Sequence, residues 1–356
     1  MLARAAAEYR DWMERAALPL WAATGGARGF LEEHGRPEGE EATTLAQARQ
    51  IYVFAHAALL GWPAGLPAAR AAWALLRRTA WEDGWVHAVH RAGGVLDPAI
   101  ELYDQAPVLL ALAWLARAGE AEAIPWAHRT LDAVEARLTL PGSPGFANRL
   151  PPDPGPRQQN PHMHLLEAML ALHAATGEAR FARLGRDLVA LFRDRLFDPA
   201  TGTMVEYYGP DWQRLPEPWP GRQVWPGHLC EWAWLLDRAA AQFGTGLRAE
   251  ARALTRFAER HATEPRTGLL RYAVTEEGVA LDPSVQLWPQ TEALKAALVQ
   301  GRLRRAGRIL RGLLDHHLAR QPRGTWMEEA DRPGRIPATS FYHLFLAYAE
   351  LRRVLG

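Results

Sequence analysis

The stretch LYDQAPVLLALAWLARAGEAEAIPWAHRTLDAVEARL, residues 102–138, decides the architecture. Its apolar residues recur at three- and four-residue steps on both sides of a short break, Ala-Gly-Glu-Ala, so it reads as two helices joined by a tight turn. Working outward, the same unit repeats along the chain. Helical periodicity marks twelve segments, near 2–31, 44–60, 66–81, 101–118, 121–138, 160–176, 179–195, 227–243, 247–262, 286–300, 302–319 and 337–354. Ala and Leu, strong helix formers, dominate them. Gly119, Gly177 and Gly244 stand where left-handed C-terminal caps belong.

The connections alternate. Even-numbered helices end in tight turns: GWPAG, AGEA, ATGEA, FGTG and Gly301 alone. Odd-numbered helices end in long loops rich in Gly, Pro and Trp, such as residues 81–99, 139–159 and 196–226. Loops of that length are uncommon unless functional or disordered. Six helical hairpins in series predict an all-α, (α/α)6 barrel, with even helices inside and odd helices outside. Short β-hairpins are expected in the long loops, at GWVHAVHRAGGVLD and GLLRYAVTEEGVALD. No linker divides residues 1–356, so one domain is expected.

Composition narrows the function. The 356 residues carry 41 Lys+Arg against 40 Asp+Glu, one Cys and 15 Trp. A formal charge of +1 supplies no field to concentrate nucleic acid or an anionic membrane, and neither is an expected partner. The lone Cys230 cannot form an internal disulfide, and the opening residues are charged throughout, so a cytoplasmic location is expected. GxGxxG, Walker A and G-x-S-x-G patterns are absent, which removes nucleotide and serine-hydrolase chemistry.

In this register all six inner N-termini open on one face, and their first turns are polar. They bring together Arg49, Tyr52 and His56; Tyr103 and Asp104; Asn160, His162, His164 and Glu167; His228 and Glu231; Trp288, Gln290 and Glu292; and Ser340, Tyr342 and His343. His164 with Glu167 and His228 with Glu231 are three residues apart, sharing a helix face. A carboxylate beside an imidazole fixes its tautomer and suits it to general acid–base work. With no HExxH and only one His in each H-x-x-E, no metal is expected.

The segments RQQNPHMHLLEA (157–168), WPGHLCEWAWLL (225–236), WPQTEALKAAL (288–298) and SFYHLFLAYAEL (340–351) resemble the N-acylglucosamine 2-epimerase family. Arg49-x-x-Tyr52 and Tyr103-Asp104-x-Ala106 fit the same pattern. The resemblance implies an (α/α)6 barrel and cofactor-independent proton transfer at C1 and C2 of a reducing sugar. His228 and His343 would be the acid/base pair. His164 would contact or open the sugar ring, Arg49 would hold a hydroxyl or carbonyl oxygen, and Glu231 would orient His228. Tyr52, Asp104, Trp288, Gln290 and Glu292 complete the expected substrate-binding set. The SFYHLF context of His343 resembles the mannose and sulfoquinovose isomerases more than the 2-epimerases, whose pattern is P-x-H-x-x-R.

A mannose–fructose isomerase or mannose 2-epimerase is therefore the expectation, with a small sugar as partner and a homodimer as the candidate assembly. An N-acylglucosamine or disaccharide 2-epimerase is the alternative within the family. A glycoside hydrolase on the same toroid would need two carboxylates roughly 5–9.5 Å apart, for which Asp104 with Glu167, Glu231 or Glu292 are candidates. Seven indoles fall in or beside the long loops: Trp81, Trp85, Trp212, Trp219, Trp225, Trp288 and Trp326. They are expected to wall a sugar-sized pocket.

Overall fold

The computed structural model describes residues 2–24, 30–31, 37–152, 154–216 and 221–356. Six helices form an inner ring: α3 (Thr44–Leu59), α5 (Leu102–Arg117), α7 (Asn160–Thr176), α9 (Pro226–Phe243), α11 (Leu287–Val299) and α13 (Ser340–Leu355). Each packs on the next, and α13 returns to α3, so the ring is closed. The outer layer is α1 (Leu2–Trp12), continued through a π-turn (Met13–Ala17) into α2 (Leu18–Ala23), then α4 (Gly65–Thr79), α6 (Ala123–Leu138), α8 (Ala179–Leu191), α10 (Arg248–Ala262) and α12 (Leu303–His316). This is the (α/α)6 barrel.

The two layers differ in sequence because they differ in burial. Inner helices are covered on every side, and α5 is buried at nearly every position from Leu102 to Leu115. Outer helices bury one stripe, as α12 does with Ala306, Ile309, Leu310, Leu313 and Leu314. Gly177 ends α7 at φ 73°, the left-handed cap that its position required. Among the described residues, no helix is long and apolar enough to cross a membrane.

The long loops carry more strand than the two expected hairpins. Glu41–Thr43, Val86–His90, Val95–Glu101 and Arg149–Leu150 form a four-stranded antiparallel sheet, and Ala273–Val274 pairs with Ala280–Asp282. The first helix was expected to reach residue 31 but ends at Ala23. Phe30–Leu31 is instead a strand between Pro37–Glu38 and Ile336–Pro337, and the same pairing delays the last helix to Ser340. A helical period read through the glycines at 25 and 26 overran the true stop; residues 25–29 lie outside the described set.

The indoles correct a second expectation. Trp85 and Trp326 are fully buried, and Trp212 is 3% exposed. Trp81 and Trp85 pack with Trp73 and Trp126 of the outer helices, and Trp85 Nε1 donates to Thr130 Oγ1 at 2.9 Å. Trp326 stacks on Trp21 at 5.0 Å. Trp212 lies 3.9 Å from the Arg157 guanidinium and donates to the Pro144 carbonyl. These rings pin long loops to the outer layer rather than wall a pocket. Trp225 and Trp288 stand beside His228, Trp212 meets His162 edge-on at 5.0 Å, away from that pair, and Trp219 lies outside the described residues.

His162 is another pin. Its Nε2 accepts from the Phe146 N–H at 3.0 Å, which puts the proton on Nδ1, 3.1 Å from the Gln158 carbonyl. Burial, and then the Arg157 charge, push its pKa down to about 3. A depressed base stabilises the fold above its unfolded pKa of about 6.5 and loses that contribution as pH falls. We expect unfolding free energy to drop between pH 6.5 and 4 by up to about 1.4 kcal/mol per pH unit from this group. In H162Q the protein should be less stable at pH 7.5 and its urea midpoint less steep in pH; an unchanged slope would remove His162 as the cause.

Candidate active site

The first turn of α9 delivers His228 to the upper mouth. Gly227 makes this possible: a Cβ there would fall 2.4 Å from the Trp288 ring, so only glycine lets that indole lie against the helix start. His228 stacks on Trp225 at 5.1 Å and sits 4.8 Å from Trp288. Its Nδ1 is 2.7 Å from Glu206 Oε2. Gln159 Nε2 donates to both oxygens of the same carboxylate, at 3.0 and 3.1 Å, while its own oxygen accepts from Trp232 Nε1. Glu206 as acceptor places the proton on Nδ1 and leaves the Nε2 lone pair free. The carboxylate that orients His228 is thus Glu206, not the expected Glu231. Sharing a helix face at i and i+3 did not bring Glu231 to the imidazole, because a loop carboxylate takes that edge first.

His343, on the first turn of α13, repeats the arrangement. Its Nδ1 is 2.8 Å from Glu292 Oε1, and Lys295 Nζ is 2.5 Å from Glu292 Oε2. Lys295 is wholly buried and lies 4.2 Å from the Trp234 ring centroid. Burial, reinforced by the Arg49 and Lys295 charges, holds His343 well below the ordinary histidine range, so it is neutral near pH 7 with Nε2 unprotonated. The ring of Trp288 is 5.8 Å from His343, putting one indole between the two imidazoles.

A third group faces them. His164 Nδ1 is 3.4 Å from Glu167 Oε2, which also accepts from the Tyr342 hydroxyl at 2.5 Å. Arg49 Nη2 is 3.4 Å from His164 Nε2 and 3.3 Å from the Tyr103 hydroxyl, and its guanidinium lies over the Tyr342 ring. Burial and the Arg49 charge outweigh Glu167 and bring His164 down to about 4. Glu167 stays below the ordinary carboxylate range despite burial, through His164, Lys295 and Tyr342. Glu231 behaves oppositely. It is 1% exposed, neither oxygen has a hydrogen-bond partner among the described residues, and Oε1 is 3.9 Å from His164 Nδ1. Burial, then the neighbouring Glu292 charge, raise its carboxyl well above the ordinary range.

Three expected substrate contacts point elsewhere. Tyr52 is fully buried one turn deeper, its hydroxyl 3.0 Å from His56 Nδ1. Asp104 accepts from the Leu45 N–H at 3.0 Å and meets His87 Nδ1 at 2.8 Å, tying the start of α3 to the sheet. Gln290 is satisfied by backbone alone, through Leu270 N–H, the Leu270 carbonyl and the Gln286 carbonyl, each at 2.8 Å. Each lies near the mouth in sequence and holds its architecture in fact. The reading missed Glu206, Gln159 and Lys295. Lys295 carried a signal: a lysine inside an inner-helix apolar run, WPQTEALKAAL, must be paired.

Two carboxylate–histidine groups here, His164–Glu167–Glu231 and Glu231–Glu292–His343, have ligand atoms within 4.8 Å of one another. Both depend on Glu231, and the Lys295 ammonium and Arg49 guanidinium already occupy the positions where a divalent cation would be repelled. The arrangement suits proton transfer more than metal chelation.

With this geometry in hand, comparison with known proteins is informative. The family described as N-acylglucosamine 2-epimerase (GlcNAc 2-epimerase) matches residues 25–347. A mannose-6-phosphate isomerase of Rhizobium meliloti (strain 1021) is 34% identical over 380 residues, covering 98% of this chain and 97% of that one. A D-mannose isomerase of Thermobifida fusca is 29% identical over 328 residues, 83% of this chain and 79% of that one. The solved cellobiose 2-epimerase from Bacillus thermoamylovorans B4167 shares the fold, with a TM-score of 0.88 over 98% of this chain and 99% of that one at 19% identity.

The two carboxylates nearest His228 in sequence and in space should separate on substitution. E206Q removes the acceptor that fixes the tautomer and should lower kcat about 10²-fold or more with KM little changed. E231Q replaces a carboxyl that accepts no hydrogen bond from the described residues by its isostere and should stay within about tenfold of wild type; the reverse order would overturn the assignment of Glu206. K295M strands a buried carboxylate and should cost about 3–5 kcal/mol in urea unfolding. The pair E292Q/K295M should recover much of that stability but not the activity.

Proposed function

Since the chain belongs to the N-acylglucosamine 2-epimerase family, sugar isomerases and 2-epimerases, we propose that it interconverts an aldose of mannose configuration and the corresponding 2-ketose. The observation that carries this reading is the pair of imidazoles at one mouth of the ring. Each has Nδ1 engaged by a buried carboxylate, each leaves Nε2 free, and they flank the same indole. The names of the two isomerase relatives support the substrate class.

The chemistry follows from the acidity of the sugar. The C2 hydrogen of an aldose is removable only after the ring opens and the carbonyl acidifies it. In this reading His164, backed by Glu167, exchanges protons with the ring and anomeric oxygens. A neutral imidazole then takes the C2 proton through Nε2, and its carboxylate partner, Glu206 or Glu292, stabilises the imidazolium that forms. Charge develops on the carbonyl oxygen as the enediolate forms, and Arg49 is the fixed cation beside it, held by the Thr339 carbonyl and the Tyr103 hydroxyl. Returning the proton to C1 yields the ketose. Epimerisation at C2 needs a second base on the opposite face, and His228 and His343 together supply that inventory. It is the second reading. Glu167, Glu206 and Glu292 are each engaged by a histidine, and Glu292 also by Lys295, an arrangement a glycoside hydrolase does not need. A cytoplasmic location suits the single, buried Cys230.

Incubation with mannose, mannose 6-phosphate, glucose, fructose and N-acetylmannosamine in D2O, followed by NMR, tests this. The expected result is aldose–ketose conversion with deuterium at C1 or C2; no exchange in any sugar would overturn it. H228A and H343A should each lower kcat/KM about 10²–10⁴-fold with an unchanged circular-dichroism spectrum. Near wild-type turnover in either would sink the acid–base assignment. EDTA should leave activity intact, and a loss restored by added metal would refute the metal-free route.

A further inference from the structure

The other end of the ring, where the inner helices terminate, holds a cavity of about 390 Å³ that no step above uses. Its shaft is apolar, formed by Leu110, Leu170, Ala171, Trp234, Leu346 and Ala349. Its polar lining sets His56, Tyr52, Arg117, Arg238, Arg352 and Arg353 against Glu167, Glu350 and Gly356. His56 is 93% buried, its Nδ1 meets the Tyr52 hydroxyl, and its ring stacks on Trp114 at 3.5 Å. Nε2 has no hydrogen-bond partner among the described residues, and the imidazole lines the cavity. Burial and the charges of Arg117, Arg238 and Arg352 keep it neutral.

The rim is cationic and under-compensated. Arg117 lies 4.1 Å from the Trp114 ring centroid and forms no ion pair among the described residues; burial, and then the like charge of Arg238, lower its pKa. Arg238 reaches Glu350 only at 3.6 Å, and Arg353 already holds that carboxylate at 2.8 Å. Arginines at helix C-termini complement the backbone dipole, but these converge on a concave apolar shaft, the combination that a ligand with one anionic head and an apolar body requires. Glu167 forms part of the same wall, so an occupant would sit one carboxyl layer below His164.

We propose that this lower cavity is a binding site for a small amphiphilic carboxylate, its head between Arg117 and Arg238 and its chain along the Leu110–Leu170–Leu346 wall. The site shares the Glu167 wall with the upper mouth but takes a different ligand from the sugar.

Octanoate is the probe, with octanol and acetate as its separate halves, read by isothermal titration calorimetry and by thermal shift. Octanoate should bind and raise Tm, and neither half alone should do so. R117A/R238A should weaken octanoate at least about tenfold, since charge-assisted bonds are lost. A171F fills the shaft and should abolish binding, whereas H343A should bind as wild type. Absence of octanoate binding, equal binding of octanol, or indifference to both lower-cavity variants overturns the proposal. So does displacement of octanoate by saturating mannose, which would assign the binding to the upper mouth. Should A171F fail to fold, the arginine double variant still decides.

Discussion

The contact between Lys295 and Glu292 is the constraint on which the interior depends. A closed ring of helices buried on all sides has no water to solvate charge, so each ionised group inside must be neutralised by another. Lys295 balances Glu292, His164 and Lys295 hold Glu167 low, and Glu231, sharing Lys295 and Arg49 with other carboxylates, is pushed up by burial and by Glu292. His164 and His343 are then held neutral, the state a proton acceptor needs, and His228 is partnered by Glu206. The chemistry at the mouth is thus a consequence of charge balance deeper in the ring.

A second effect acts in the same direction. All six inner helices start at the histidine-bearing mouth, and helix N-termini carry partial positive charge. Together with Arg49 they make that end favourable for an enediolate. The opposite mouth collects helix C-termini, and arginines gather there. The two ends of one ring therefore differ in character before any particular ligand is considered.

Much of this was legible in the sequence, for identifiable reasons. The alternation of tight and long connections is a property of chain length between helices, so it gave the ring directly. Inner-helix histidines could be grouped because position in the first turn fixes which mouth a side chain reaches. What periodicity could not show was partner choice. Glu231 stood three residues from His228, yet Glu206 reached it from the loop of residues 197–225, where the chain has no repeat to read. Gln290 and Asp104 sat at helix starts like true site residues, but each closes a backbone gap instead. The loop indoles were legible as unusual and misread as pocket, because an aromatic ring that pins a loop and one that faces a ligand look alike in one dimension.

The seam between α13 and α3 bears on how the chain becomes active. Arg49 reaches the carbonyl of Thr339, and Gln50 that of Ala338, across separations of 290 and 288 residues. Contacts so distant in sequence carry a large loop-closure cost and form late. Arg49 gains its Thr339 anchor only when the ring shuts, so a chain with five hairpins assembled would hold histidines and a guanidinium steadied from the Tyr103 side alone. Onset of catalysis would then report the final closing event of folding, as a built-in marker of topological completion.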